Sequence, residues 1–471
     1  MSFFILPSLI TAQDRAQAID KYLTAKTDLG RFSGAVLVAE GDTILLRKGY
    51  GLADAESDTP FTPDTKFMVA SITKMFTAMA VLQLRDENKL RLDDSVCKYI
   101  EACPAAWNAV TIENVLRHRS GIPDYESKLK LGSEKYFEFF SKPKSTERIL
   151  NEAKASPLNF MPGEKFEYSN TGYILLAGIV EKVSGKSFDK YIESRILKPA
   201  KMMNSGMFDA DNIPGDLANG YTHETVSWDK FLPGISLTSG HLKKTPRLDF
   251  PENEGDAALY STLDDLFRWS RVMDGKSSLV TPALAREIFD PKGGYYGYGW
   301  FVLEEFDQKR LWHNGTLPGF VSDFVKFPEK DLTIILFTNI DRARLGITTR
   351  DVSSIALGKP FDMPVRGSFY QLKEKDIKAL EGDYKTADGK SLKVKNEPDY
   401  FTGYMNDADG NIEFIAGWIP MSPTEFYFPM KDGKVTFFLD KNGKAEKVNM
   451  RYRGEDHFAS RTVETEVKVK N

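Results

Sequence analysis

Residues 68–84 read MVASITKMFTAMAVLQL. Apolar side chains on every face predict a buried helix. Ser71 and Lys74 interrupt that pattern near its start, three residues apart and therefore on one helix face. With Ser71 in the first turn, its N–H has no partner inside the helix and stands at the positive end of the dipole. Such an N–H can hold a developing oxyanion. Lys74, one turn further, reaches the serine hydroxyl, and a lysine in a water-poor site has a lowered pKa and can accept a proton. The pair is then a serine nucleophile with its base, built without histidine. S-x-x-K alone is a weak signal, and an N-cap serine beside a surface lysine accounts for the same four residues.

Two later stretches supply what such a pair needs. In FMPGEKFEYSNTGYILLAG, Tyr168 and Asn170 stand two apart ahead of an apolar helical run. Asn170 offers a donor and an acceptor, and Tyr168 can relay a proton where a nearby cation lowers its phenol pKa. Equally, Asn170 reads as the cap of a helix beginning near Thr171, and Tyr168 as packing. In LWHNGTLPGF, His313, Asn314 and Gly315 end a predicted strand. The small residue there lets a substrate backbone lie close, and the Thr316 N–H is placed to be a second oxyanion donor. A lone histidine is also commonly structural.

These three pieces, in this order, resemble the serine β-lactamase and penicillin-binding protein superfamily. The resembling branch is the class C-like one, with Tyr-x-Asn second and His-x-Gly third. FSGAVLVAEGDTILLRKGYG, LDDSVCKYI, VTIENVLRHRSGIPDY, LYSTLDDLFRW, YGYGW and GFVSDFVKFPEKDLTIILFTN look like the same branch, over roughly residues 15–345. The resemblance implies an α+β fold, an antiparallel sheet flanked by helices with a mostly helical insertion. It implies Ser71 as acylated nucleophile, Lys74 and Tyr168 as proton-transfer groups, and Asn170 as a holder of the lysine that also contacts substrate. His313 stands where many relatives carry lysine, and the Ser71 and Thr316 N–H groups would form the oxyanion hole. Tyr125 would border the pocket or serve packing. GYYGYGW would be a strand near the substrate groove or core. A neutral imidazole supplies less charge than lysine for a substrate carboxylate, which weakens the expectation of β-lactamase activity and favours an esterase or D-amino-acid peptidase. No G-x-S-x-G is present, so an α/β-hydrolase elbow is not a rival.

Outward from these motifs, residues 13–30 have helical spacing, and two β-type runs around Glu40-Gly41-Asp42 read as a hairpin. Residues 93–200 look helical and loop-like, and residues 295–340 turn strand-rich. Strands at both ends of a helical middle predict one antiparallel sheet closed by both ends of the segment. The expected organisation is a signal-peptide remnant at 1–12, the hydrolase domain at 13–355, a linker at 356–375 and an antiparallel β-barrel at 376–471, which resembles the lipocalin-like domains appended to such enzymes. Asp388-Gly389, Asp409-Gly410, Asp432-Gly433 and Asn442-Gly443 predict two-residue hairpin turns in that module. NDADGN is not an EF-hand loop, because aligning its glycine puts Met405 at the first ligand position.

The 471 residues carry a net charge of −4 and no basic block, which argues against nucleic acid as partner. No apolar run is long enough to span a membrane. No thiolate cluster, histidine ligand spacing, P-loop or dinucleotide fingerprint is present, so neither metal nor cofactor is expected. MSFFILPSLITAQD resembles the end of a secretory signal with cleavage after Ala12, although no Lys or Arg precedes it; a hydrophobic lead-in to the first helix is the alternative. Cys97 and Cys103 are too far apart along a continuous helix, but a loop folded back before Pro104 brings them together. One small disulfide in an oxidising compartment is the preferred reading and two free thiols the other. The expected function is a periplasmic or secreted serine acyl hydrolase for a small-molecule or peptide ester or amide. The alternative is a catalytically retired relative that binds ligands or assembles through its β-module. Oligomeric state is open.

Overall fold

Six strands form the main sheet of the larger of two compact units. They are β1 (Gly34–Glu40), β2 (Thr43–Tyr50), β3 (Phe301–Glu305), β4 (Gln308–Leu317), β5 (Phe320–Phe327) and β6 (Leu332–Thr338), ordered β3-β4-β5-β6-β1-β2 with every pair antiparallel. The computed structural model describes residues 11–129, 133–142, 145–223, 242–246, 248–249, 255–341, 343–365, 370–397 and 400–462. The larger unit lies within 31–224 and 240–349. The smaller takes α1 (Ala12–Asp28) and the described residues from 350 onward. Residues 1–10 of the expected signal segment lie outside the described residues. Thr11 caps α1, trading hydrogen bonds with Asp14.

The pairing of β6 with β1 joins the two ends of the larger unit, as the strand–helix–strand pattern of the sequence predicts. Both strands are continuous apolar runs, and both are almost wholly buried. The buried helix of residues 68–84 begins later than expected. Phe67–Met68 is a short strand, Ala70–Ile72 a 3-10 turn, and α2 runs from Thr73 to Asp86. Ser71 therefore lies in the turn ahead of α2. Further helices α3 (Asn170–Ser184) and α4 (Leu263–Met273) share one core with α2, in which Phe76 stacks on Trp269 at 4.4 Å. Cys97 and Cys103 are joined in a disulfide, with Cα atoms 5.3 Å apart in a loop that folds back before Pro104.

The smaller unit contains a closed eight-stranded antiparallel barrel, from Gly382–Thr386 to Glu455–Arg461. Its interior is filled by Tyr384, Phe401, Trp418, Phe426, Phe428 and Phe437, among other apolar side chains. Three of the four expected turns are present but longer than two residues. Gly389, Gly410 and Gly443 take positive φ, while the preceding Asp388, Asp409 and Asn442 do not. At the first, Thr386 N–H donates to the Lys390 carbonyl across a four-residue loop. At the fourth, Asp432 itself takes φ +49 after a 3-10 turn, and Gly433 already begins a strand. Among the described residues no helix is long and apolar enough to cross a membrane.

Candidate active site

Ser71 is held in a strained turn. The residue before it, Ala70, has φ +50, a conformation costing a non-glycine residue on the order of 1–3 kcal/mol. Its neighbours fix it there. The Val69 carbonyl accepts from the Ser322 hydroxyl at 2.8 Å and from the Ile72 N–H at 3.3 Å. Thr73 Oγ1 donates to the Ala70 carbonyl at 2.6 Å and accepts from the Leu259 N–H at 3.0 Å. Strand β4 lies directly against this turn because residue 315 is glycine. A Cβ there would stand 2.2 Å from the Val69 carbonyl oxygen and 2.8 Å from the Ala70 Cβ. The bare backbone at Gly315 thus serves the close approach of strand to turn. His313–Gly315 lie inside β4, which runs on to Leu317, and do not end the strand as predicted.

Lys74, in the first turn of α2, is 0% exposed. Its Nζ lies 3.1 Å from Ser71 Oγ, 2.7 Å from Asn170 Oδ1 and 2.9 Å from the Asp256 main-chain oxygen. Each of these three partners is neutral. A neutral amine has two N–H donors and one lone pair. The two carbonyl oxygens can take the donors, which aims the lone pair at the Ser71 hydroxyl. Asn170 is available for this because it is not the helix cap: Ser169 caps α3 by accepting from the Gly172 N–H at 3.2 Å. Asp124 accepts from the Asn170 N–H at 2.7 Å and steadies the same helix end.

The Tyr168 ring sits beneath the lysine, with Nζ 5.0 Å from its centroid. Burial holds the phenol well above its ordinary pKa, and only the hydrogen bond with Ser71 lowers it. The lowering by a nearby cation that the sequence allows for does not appear: burial comes first, and the charges of Asp256, Glu126 and Asp124 raise the phenol further. Tyr168 is then a neutral phenol, able to pass a proton but not to stand as phenolate. His313 Nδ1 lies 2.6 Å from the Asn314 carbonyl, so it carries the hydrogen, and Nε2 accepts from the Tyr296 hydroxyl at 3.0 Å. Burial first, and the Lys74 charge in the lysine's protonated state second, push this imidazole down to about 3, so it is neutral. Thr316 follows in β4 and is half-buried, paired with Val321.

Several participants had no sequence signal. His118 lies inside the LRHRSGIPDY stretch, but nothing marked it as more than a lone histidine. Its ring lies 4.1 Å from that of Tyr168, and its Nδ1 accepts from the Ser169 N–H at 3.0 Å. It therefore positions the Tyr168–Asn170 segment. Asp256 contributes through its main chain, which no side-chain motif reveals. Tyr125 does reach the site's edge: its hydroxyl donates to Asp256 Oδ2 at 3.0 Å and its ring stacks on Phe139. GYYGYGW is a loop with Tyr296, Tyr298 and Trp300 buried; the strand begins only at Phe301.

A six-stranded antiparallel sheet with a serine–lysine pair at the head of a buried helix defines a class, and the chain belongs to it: the family described as Beta-lactamase matches residues 16–353. The chain is 27% identical over 448 residues to penicillin-binding protein 4* of Bacillus subtilis, covering 92% of this chain and 95% of that one. It is 29% identical over 341 residues to protein flp of Staphylococcus aureus, covering 70% of this chain and 64% of flp. Among solved structures, the octameric penicillin-binding protein homologue from Pyrococcus abyssi aligns with TM-score 0.64 at 23% identity, over 94% of this chain and 99% of that one. The D-amino acid amidase of Ochrobactrum anthropi aligns with TM-score 0.60 at 21% identity, over 73% and 98%. These two likenesses are of fold.

Proposed function

We propose that the protein is a serine acyl hydrolase that forms an acyl-enzyme on Ser71 and releases it to water. The observation that carries this reading is the neutral triangle around Lys74 Nζ, in which two carbonyl oxygens and the Ser71 hydroxyl share one buried amine. Ser71 Oγ attacks the substrate carbonyl and its proton passes to Lys74, directly or through the neutral Tyr168 phenol. The Ser71 and Thr316 N–H groups receive the oxyanion; loss of one such donor costs about 3 kcal/mol of barrier. The same proton then goes to the departing alcohol or amine. Water attacks the acyl-enzyme, giving its proton to Lys74, which returns it to Ser71 as the acid leaves.

The substrate is an ester or amide of the esterase or D-amino-acid peptidase type, with β-lactam hydrolysis weak. A neutral His313 gives a substrate carboxylate no cation to meet. A fold shared with a D-amino acid amidase, and with EstCE1, a hydrolase with promiscuous acyltransferase activity, is in keeping with this range. The Cys97–Cys103 disulfide favours action in an exported, oxidising setting. The domain limits read from the sequence, 13–355 for the hydrolase and 376–471 for the barrel, remain part of this proposal. The test is a kinetic panel of nitrophenyl esters, D-alanyl amides and nitrocefin on wild type and Ser71→Ala. Turnover of an ester or amide that vanishes in Ser71→Ala is expected. A folded wild type inert to all three would favour a retired relative.

A further inference from the structure

We propose that Arg117 and His118 form one brace that holds the Tyr168 phenol in place for proton transfer and ties it to the Tyr296–His313 side of the site, so that the rate of acylation, and not ester binding, depends on it. The inference rests on the reading of Ser71 as nucleophile and adds positioning residues to that site.

Tyr168 is gripped from both sides by a single residue. The Glu167 N–H donates to the His118 carbonyl at 2.8 Å, and the Ser169 N–H donates to His118 Nδ1 at 3.0 Å. Between these two bonds the imidazole lies 4.1 Å from the Tyr168 ring, tilted by 31°. His118 itself takes φ +54, a left-handed conformation uncommon for a residue with a Cβ. In that conformation its carbonyl and its ring both serve the one segment. His118 is 1% exposed, and its Nε2 has no hydrogen-bond partner among the described residues. Burial first, then the Lys74 charge, holds the imidazole well below its ordinary pKa, so it is neutral with Nδ1 as acceptor. With Nδ1 committed to Ser169 and Nε2 without a partner, the ring stands in no proton path. His118 is a positioning residue.

The brace is anchored in turn. His118 follows the short helix Ile112–Leu116, and Tyr173 of α3 donates its hydroxyl to the Leu116 carbonyl at 2.8 Å. Arg117, 5% exposed, donates through Nη1 to the Asp290 carbonyl at 2.7 Å and the Tyr296 carbonyl at 3.4 Å, and through Nε to Glu113 at 3.0 Å. Its guanidinium lies 4.3 Å from the centre of the Tyr298 ring, and the Tyr298 hydroxyl donates to the same Glu113 oxygen at 2.8 Å. Arg117 thus pins the loop whose Tyr296 hydroxyl donates to His313 Nε2. Two adjacent residues therefore hold Tyr168 on one side and the partner of His313 on the other. A planar guanidinium does this with donors in a fixed fork, which lysine lacks. Misplacing a reacting group by about 1 Å costs up to about 10²-fold in rate.

The test follows p-nitrophenyl acetate by stopped-flow on the full chain. Asparagine tolerates left-handed φ and carries its amide oxygen where the imidazole has Nδ1, whereas glutamine carries its amide one bond further out. His118→Gln is expected to slow acylation at saturating ester at least about ten-fold, with half-saturation changed less than about two-fold, and His118→Asn to recover most of that loss. In a Tyr168→Phe background His118→Gln should change the rate by less than about two-fold, because the brace acts through the phenol; a general structural defect costs the same in both backgrounds. Should His118→Gln not fold, Arg117→Lys takes its place in the same cycle, with a loss of at least about three-fold expected. No loss in the braced position, or the same loss with and without the Tyr168 hydroxyl, overturns the brace while leaving the serine hydrolase standing. Where Tyr168→Phe is too slow to follow, equal rates for His118→Asn and His118→Gln overturn it. No ester turnover by wild type overturns both.

Discussion

Among its described residues the larger unit contains two hydrogen-bonded serine–lysine pairs, and on the proposed reading only one reacts. Lys326, on β5, donates to Ser270 Oγ at 2.7 Å, a closer contact than Lys74 makes with Ser71. Yet Lys326 also donates to the Asp274 carboxylate at 2.8 Å and to the Ser270 carbonyl. Burial lowers the Lys326 pKa overall, but the Asp274 carboxylate pulls the other way and favours the ammonium, which has no lone pair to offer. Ser270 is 0% exposed in the middle of α4, and its hydroxyl also meets Thr333. Ser71 is partly exposed, stands ahead of a helix and follows a strained residue. Proximity of serine to lysine is therefore insufficient. What separates the pairs is that the described hydrogen bonds of Lys74 go to neutral oxygens whereas Lys326 bonds a carboxylate, and that one serine sits in an open turn and the other in a closed helix.

Five variants, and a sixth at His313, test this contrast. The largest effect is expected from Ser71→Ala, which should lower ester turnover at least about 10³-fold, whereas Ser270→Ala keeps turnover and loses about 1 kcal/mol of stability in urea unfolding. Lys74→Met should slow acylation by about 10²- to 10⁴-fold in stopped-flow kinetics. Lys326→Met should instead cost about 3 kcal/mol of stability by stranding Asp274, with the acylation rate of the folded fraction kept. Next, Cys97→Ser with Cys103→Ser should cost about 2 kcal/mol and leave both pairs untouched, read by thermal unfolding alongside turnover.

The smallest effect concerns charge near Lys74. The His313 imidazole titrates at about 3 when folded, below the ordinary unfolded value. Between those values the unfolded chain binds the proton and the folded one does not, so this residue's contribution falls as pH drops below the unfolded pKa. Compared with His313→Gln, wild type should lose about 1 kcal/mol between pH 7 and 5.5, read from paired urea titrations. The pH–rate profile should show no limb from this imidazole near neutrality.

Much of this was legible in the sequence because it is local. Ser71 and Lys74 are one turn apart, Tyr168 and Asn170 flank one helix start, and the apolar runs at 34–40 and 332–338 mark the central strands. What was not legible depends on main chain or on distant neighbours. Alanine gives no sign of a positive φ, so the 3-10 turn at Ala70–Ile72 read as helix. The Asp256 carbonyl lies 182 residues from Lys74 in sequence and carries no side-chain pattern. His118 is identified by its ring contact with Tyr168 and its bond from the Ser169 N–H, which a lone histidine in a loop does not announce. The direction of the Tyr168 shift comes from burial and from the Asp256, Glu126 and Asp124 charges, which only packing brings together. The Asp-Gly pairs marked real turns, but their length is fixed by strand register.

The most direct measurement is the site of covalent labelling by a fluorophosphonate, mapped by peptide mass spectrometry on folded wild type, Ser71→Ala and Ser270→Ala. One adduct on the peptide bearing Ser71, present in wild type and Ser270→Ala and missing from Ser71→Ala, is the result required. An adduct on another serine, or labelling that survives in Ser71→Ala, would contradict the account.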